Sequence, residues 1–417
     1  MIKENLKVGI VGFGLRGMCL LKETLLPIAD EEGLVIMGVC DFYEERTNAA
    51  ADEIEKATGK RPFETQNYSD LLELDIDAVI IISSWETHVP FAVEAMKKGK
   101  YVGLEVAGAY SIKDCWQLVE TSEETGVPCM LLENCCYGRR ELMALEMVRQ
   151  GIFGDIVYCA GGYKHDLRKE VAEGEELKHY RMRNYIHRNA ENYPTHELGP
   201  IAKILGINNG NRMLTLTSSA SNAKGVHHYI VDRKGADSKH ANTVFNQADI
   251  VNTSIKCANG ELITITLDTT LPRFYGRSLE VRGTKGGYFE DNDSVFLDHI
   301  HDEYELDGRP LWGNGKEYFE KYKHRVWREH TPIGDQESIH SGIDEFVFRA
   351  FIYSAKRNEQ PPIDVYDAAA WMSITALSEQ SIAMGGAPVA IPDFTRGKWT
   401  ERTDIVDGPY SLNIFGK

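Results

Sequence analysis

The chain has eight cysteines but no C-x-x-C pair, and Cys135 and Cys136 are adjacent, a poor geometry for an ordinary disulfide. That pattern fits reduced, mostly buried thiols in a cytoplasmic protein. No apolar run approaches the length of a membrane span, and the opening MIKENLKVGIVGFG lacks a charged-then-apolar leader, so neither export nor insertion is expected. Basic residues are in deficit: 46 Lys and Arg against 63 Asp and Glu leave a net charge of −17. A nucleic-acid partner, which demands a basic face, is thereby disfavoured, whereas a neutral small-molecule substrate is compatible. Internal repeats and low-complexity tracts are also missing. What is present, 417 residues at 42% hydrophobic and 10% aromatic, is enough for two or three ordinary globular domains.

The most informative string is LKVGIVGFGLRG, residues 6 to 17. A short apolar run ends in Gly12-x-Gly14-x-x-Gly17, the way a strand hands over to a helix around a dinucleotide pyrophosphate. The glycines serve a tight turn, close approach of phosphate, and contact between helix and strand. A second apolar run, Leu34 to Val39, leads to Asp41, a carboxylate suited to ribose hydroxyls. Phe42 rather than Arg follows it, so a 2′-phosphate would meet repulsion without a counter-ion, which favours NAD over NADP.

Residues 1–132 alternate strand and helix patterns, with strands at Val8–Val11, Leu34–Val39, Ala78–Ile82, Tyr101–Val106 and Pro128–Leu132. Helical stretches include Glu44–Ala57 and Val89–Lys98, and Ser111 with Asp114 forms a capping-box start. The expectation is an α/β fold: a parallel-sheet, Rossmann-type NAD-binding domain covered on both faces. After a helix over Arg140–Gln150, strands at Ile156–Tyr163, Met213–Ser218, Val251–Cys257, Leu262–Asp268 and Ser278–Arg282 follow with few helices between. They predict a second, α+β domain over 133–385 with an open, mostly antiparallel sheet for substrate and oligomerisation. Residues 221–250 and 291–335 read as loops or surface insertions. A helix over Val365–Ala383 precedes PVAIPDFTRGKW, and 386–417 is expected to be an arm lying on the body or on a neighbouring subunit. An open sheet face of this kind often meets a second copy, so a homo-oligomer is expected.

This organisation resembles the Gfo/Idh/MocA oxidoreductases, in which the fourth crossover is commonly preceded by Glu-Lys-Pro. Here the string is LEVAG: Glu105 is kept, but Val106 and Ala107 replace the other two. Six further strings, SSWETHVP (83–90), ENCCYGR (133–139), GGYKHDLR (161–168), RNAENYPTHELGP (188–200), GTKG (283–286) and PDFTRGKW (392–399), make the chain similar to the NAD-dependent glycosidases of glycoside hydrolase family 109. The resemblance implies cofactor contacts from Leu15, Arg16, Asp41, the Trp85–His88 segment with Trp85 and His88 at its ends, Glu105, Val106 and Asn134, beside Gly12, Gly14 and Gly17. It implies substrate contacts from Tyr163, Arg181, the run Tyr193, Pro194, Thr195 and His196, and Tyr275. Two departures stand out: Glu197 occupies a position where the family usually shows glycine, and 221–250 lacks the expected sequence.

The implied chemistry is hydrolysis of a terminal glycoside by a redox cycle, an exception to the usual pair of carboxylates. The sugar 3-hydroxyl is oxidised, the resulting ketone acidifies the C2 proton, the aglycone leaves by elimination, water adds back, and the ketone is reduced again. Such a cycle needs several phenols and imidazoles around one ring, and Tyr163, His165, Tyr193 and His196 offer that set as catalytic residues. Arg181 and Tyr275 suit hydroxyl binding or polarisation of the ketone. Blander explanations exist for each. Tyr163 and His165 alternate on a strand, as they would on an amphipathic surface strand. YPTH also describes a proline turn into a helix capped by Thr195. Asp298, His299, His301 and Asp302 form DHIHD, but no partner motif has zinc spacing, and a solvated loop is expected with no required metal. Besides the glycosidase, two other functions fit the same residues: an NAD-dependent sugar or inositol dehydrogenase, and a sugar- or NAD-sensing protein without turnover.

Overall fold

The computed structural model describes residues 2–301, 309–333, 342–402 and 408–412. The chain divides into two compact units, each with its own core.

The first unit is built on six strands: β1 (Leu6–Val11), β2 (Leu34–Cys40), β3 (Phe63–Thr65), β4 (Ala78–Ile81), β5 (Tyr101–Leu104) and β6 (Cys129–Leu131). They run parallel in the order β3-β2-β1-β4-β5-β6. Strands β4 and β5 are buried along their whole length, as unbroken apolar runs between two layers of helices should be. The reversal of strand order falls between β1 and β4, the place where such sheets bind ligands. Strand β3 escaped prediction because Phe-Glu-Thr is too short and polar to read as a strand. Ser111 caps its helix as expected, accepting the Asp114 N–H at 3.1 Å.

The chain returns to this unit later. Its members are Met1–Tyr137, Glu329–Ala369 and a short C-terminal piece, so the predicted division at 132/133 marks only the first crossing. The returning helix Ile343–Arg357 is buried on most sides, and its Phe351 ring lies 2.9 Å from where a Cβ on Gly103 would stand. A distant helix that packs on the sheet leaves no local pattern, so a boundary read along the sequence misses it.

The second unit holds eight strands: β7 (Ile156–Lys164), β8 (Met213–Ala220), β9 (Ile250–Cys257), β10 (Leu262–Asp268), β11 (Glu280–Gly283), β12 (Gly286–Phe289), β13 (Ser294–Leu297) and β14 (Val389–Ala390). Their order is β13-β12-β11-β7-β10-β9-β8-β14. All neighbours are antiparallel except β7 and β10, which run parallel and set Tyr163 beside Leu267. One face buries Cys159, Tyr163, Val251, Ile255, Ile263, Ile265 and Leu267. The other carries Asn252, Ser254, Thr264 and Thr266 and stays partly or fully exposed. The start of the predicted arm lies on the body: Val389 pairs with Leu216 and extends the β8 edge. The stretches read as loops contain helices Gly225–Lys234, Gly315–Lys321 and Arg325–Glu329, whose mixed polarity gives no apolar stripe to recognise.

Candidate active site

Within the first unit, the dinucleotide turn is closed by backbone contact. Gly12 has φ +101°, and a Cβ there would fall on the Ser83 N–H and the Ile82 carbonyl. One on Gly17 would fall on the Gly12 carbonyl. Gly14 is open, and the helix starting at Leu15 exposes that first side chain to solvent. Asp41 is buried at the end of β2, where its carboxylate accepts the Phe13 N–H at 2.6 Å and the Tyr43 N–H at 3.0 Å. Each oxygen keeps a lone pair for a ribose hydroxyl. This turn and acid fit a dinucleotide. Arg46, one turn into the next helix, lies over the Tyr43 ring at 4.7 Å, and its Nη1 is 3.5 Å from where a Cβ on Gly14 would stand. A cation therefore does stand near this loop, although no arginine directly follows Asp41.

Beyond the turn, Trp85 is buried at the head of its helix and His88 is buried one turn on. The His88 Nε2 faces the Ser83 carbonyl at 3.0 Å, and burial pushes its pKa down to about 4, so the ring is neutral. Glu105, at the end of β5, accepts the Val106 N–H at 2.6 Å and pairs with Arg16 at 3.1 Å; burial raises its pKa. Arg16 also grips Asp344 in a fork at 2.9 and 2.7 Å, and Asn134 Nδ2 donates to the same carboxylate at 2.6 Å. Asp344 thus links two predicted cofactor residues, Arg16 and Asn134, and was missed because it sits hundreds of residues downstream with no local signal.

In the second unit, Tyr163, His165, Tyr193, His196 and Tyr275 form one cluster of rings. Tyr163 and Tyr193 centroids are 4.4 Å apart, Tyr193 and His196 are 4.9 Å apart and perpendicular, and Tyr163 and His196 are 5.4 Å apart. The Tyr163 hydroxyl and His165 Nδ1 share a hydrogen bond of 3.1 Å, and Tyr275 stands edge-on to His165 at 5.1 Å. The buried Arg181 guanidinium lies 5.0 Å from the Tyr193 centroid. Burial first, and then the Arg181 charge, lower the His165 pKa, so this imidazole is neutral at pH 7. The amphipathic-surface alternative for Tyr163 fails on this geometry, since Tyr163 is only 5% exposed.

Local structure explains why the cluster assembles. Gln247 reaches the 188–194 segment, accepting the Ala190 N–H at 3.2 Å and the Asn192 side-chain amide at 3.0 Å while donating to the Ala190 carbonyl at 3.0 Å. Ser378 and Thr375 take up the Glu191 N–H and carbonyl at 2.9 and 2.7 Å. The run then enters the helix Thr195–Ile204, with Pro194 and Thr195 buried at its head. Glu197 packs against β7, its Cβ 2.9 Å from where one would stand on Gly161. The Glu191 carboxyl is fully buried and its pKa is pushed well up by burial, a feature the sequence alone does not mark. The DHIHD string has other partners: His301 accepts the Leu297 N–H at 2.9 Å and meets the Tyr318 hydroxyl at 3.2 Å, and His299 is an exposed partner of Asp298. Asp302 lies outside the described residues.

Two family models match the chain. Residues 6–132 match the model of the oxidoreductase family with an NAD-binding Rossmann fold, and residues 137–401 match that of the glycosyl hydrolase 109 C-terminal domain. The α-N-acetylgalactosaminidase of Tannerella forsythia is 38% identical over 95% of this chain and 88% of its own length. A glycosyl hydrolase family 109 protein of Stenotrophomonas maltophilia is 36% identical over 98% and 93%. Among solved structures, a levoglucosan dehydrogenase in complex with NADH and levoglucosan superimposes with a TM-score of 0.69 at 17% identity, over 93% of this chain and all (100%) of that one. An oxidoreductase from Agrobacterium radiobacter in complex with NAD+ gives 0.66 at 16% identity, over 93% and 98%. At such identities the likeness concerns the fold.

Proposed function

The chain belongs to glycosyl hydrolase family 109, and from that membership we infer that it is an NAD-dependent glycosidase acting on a terminal N-acetylgalactosaminide or related hexoside. The observation that carries this reading is the ring cluster of Tyr163, His165, Tyr193, His196 and Tyr275 with Arg181, all inside the region matched to the family's C-terminal domain.

The residues that would hold the cofactor are the Gly12–Gly17 turn, Leu15, Arg16, Asp41, Trp85, His88, Glu105, Val106 and Asn134. When bound, NAD supplies a reversible acceptor for the hydride of a secondary sugar alcohol. The protein's own task is to move protons. Oxidation requires loss of the hydroxyl proton, and the hydrogen-bonded pair of Tyr163 and His165 can accept one, because the imidazole is neutral and within 3.1 Å of the phenol. Elimination requires a second base for C2–H and a proton for the leaving oxygen, for which Tyr193 and His196 form a second pair. Arg181 supplies a fixed positive charge where a ketone or enolate oxygen gathers negative charge. The glycosidic bond thus breaks without a free oxocarbenium ion, and no pair of opposed carboxylates is needed.

We further read the exposed polar face of the eight-stranded sheet as the surface on which copies of this chain associate, and the eight cysteines, none held in a disulfide, as those of a cytoplasmic protein.

The test is incubation of the purified enzyme with an aryl glycoside in deuterium oxide, with the released sugar examined by NMR. Solvent deuterium at C2 without stoichiometric NADH is expected. A product fully protonated at C2 would reject the mechanism, and accumulating NADH would identify a net dehydrogenase.

A further inference from the structure

Arg181 is a charged side chain buried beside the phenols of Tyr163, Tyr180 and Tyr193, and its counter-charge is not among the residues considered so far. That counter-charge is Glu170, on the short helix Arg168–Ala172, with Oε1 2.6 Å from Arg181 Nε. The same carboxylate meets His179 Nε2 at 3.4 Å, while His179 Nδ1 accepts the Arg181 N–H at 3.2 Å. The helix is fixed in turn: the Arg168 guanidinium forks onto Asp166 at 2.8 and 2.7 Å, and the His165 and Leu167 N–H groups bond to the Asp268 and Thr269 carbonyls at 2.9 Å. Burial works against a charged Arg181, and Glu170, with the phenols of Tyr163, Tyr180 and Tyr193, more than offsets it.

We propose that Glu170 is a positioning residue: it holds the Arg181 guanidinium over the Tyr193 ring and balances its charge against the neighbouring imidazoles. The catalytic meaning of this role rests on the glycosidase reading above, but the electrostatic part does not. The groups facing His165 are Arg181 from the helix Arg181–His187, Glu170 from Arg168–Ala172, His196 from Thr195–Ile204, Tyr275 from the loop after β10, and Asp166 and Tyr163 from its own segment. Of these, Arg181 and His196 oppose protonation of His165, and Glu170 and Asp166 favour it. Without Glu170, the Arg181 charge acts on His165 unopposed from that side, and the guanidinium loses the partner that fixes its orientation over the Tyr193 ring.

Two measurements on the full chain test this. Histidine labelled with ¹³C reports the titration of His165, its signal assigned by loss in His165→Gln. In Glu170→Gln the His165 midpoint is expected at lower pH than in wild type, while in Glu176→Gln, which neutralises an exposed acid of the same stretch, it stays in place. An unmoved midpoint in Glu170→Gln overturns the proposal whether or not the protein hydrolyses glycosides. In glycoside hydrolysis, Glu170→Gln is expected to lose about tenfold or more in kcat/KM, with its acid limb moved to lower pH, and to add less than about twofold in an Arg181→Gln background. A full additional loss in that background would mean that Glu170 does not act through Arg181. Should Glu170→Gln not fold, Glu170→Asp keeps the charge and shortens the reach. It is expected to hold the His165 midpoint and lose several-fold in kcat/KM, and full wild-type kinetics in that variant would overturn the proposal. Wild-type enzyme that fails on every glycoside while the NMR shift appears would sink the glycosidase reading alone.

Discussion

A single methyl group at position 12 is enough to distinguish the dinucleotide turn from a blocked one. The Cβ of Gly12→Ala would sit on the Ser83 amide and the Ile82 carbonyl in a backbone conformation that L-residues avoid. The variant is expected to lose about 2–4 kcal/mol of stability and most of its NAD affinity, read by thermal unfolding and by NADH fluorescence titration. His165 makes a second prediction at this scale. Its folded pKa lies below the ordinary value of 6.5, so the neutral base persists below pH 6.5 and is lost only as pH falls through that lowered value. The acid limb of kcat/KM in wild type should lie below pH 6.5, and His165→Gln should abolish both that limb and most of the turnover. The glycines and Asp41 were legible from chemistry and spacing, whereas Tyr163, Tyr193 and His196 were expected through the family resemblance, and His165 through its alternation with Tyr163. Asp344 and Glu170 were not. Each matters through a partner far from it in sequence or on another element, and a lone Asp or Glu in a polar stretch looks like any solvated charge.

Between elements, the contact of β7 with the helix Thr195–Ile204 sets the distance between the two tyrosine–histidine pairs. Gly161 on the strand lets Glu197 on the helix approach, and the two positions must be read together. Gly161→Ala is expected to push the helix away, costing about 1–3 kcal/mol and an order of magnitude or more in kcat/KM. Glu197→Gly in that background should recover part of both, as a double-mutant cycle measured by urea unfolding and kinetics would show. Independent, additive losses would disprove the contact. Strong apolar strands were visible from sequence here, namely β1, β2 and β4 through β10, because burial on one or both faces imposes the pattern. Strand β3 and the helices Gly225–Lys234 and Gly315–Lys321 were not visible, since their residues carry no periodic apolar face. Their positions are fixed by tertiary contacts such as the Asp249 carboxylate, which accepts the Lys224 and Gly225 N–H groups at 2.8 and 2.9 Å.

Over the whole molecule, each unit carries a deeply buried neutral histidine, His88 in the first and His324 in the second, with pKa values pushed down by burial to about 4 and about 3. Unfolding restores values near 6.5, so the unfolded chain binds more protons between those limits. The contribution of these two histidines to stability is therefore full above pH 6.5 and falls as pH drops toward 4. His88 alone accounts for a loss of up to about 3 kcal/mol. Urea midpoints at pH 7.5 and 4.5 should differ clearly in wild type and less in His88→Asn and His324→Asn. Equal pH sensitivity in all three would show that other groups govern acid unfolding. Glu191 works in the opposite direction, since a carboxyl with a raised pKa costs stability as pH rises above about 4.5.

Gln247 lies near the end of a stretch read as a loop or surface insertion, yet its amide clasps both backbone groups of Ala190 and steadies the tyrosine–histidine run. Anyone trimming the protein for crystallisation or engineering must therefore leave that glutamine in register. Changes in the length of this helix-and-turn segment are thus expected to disturb the tyrosine–histidine run from outside, without touching a single ring.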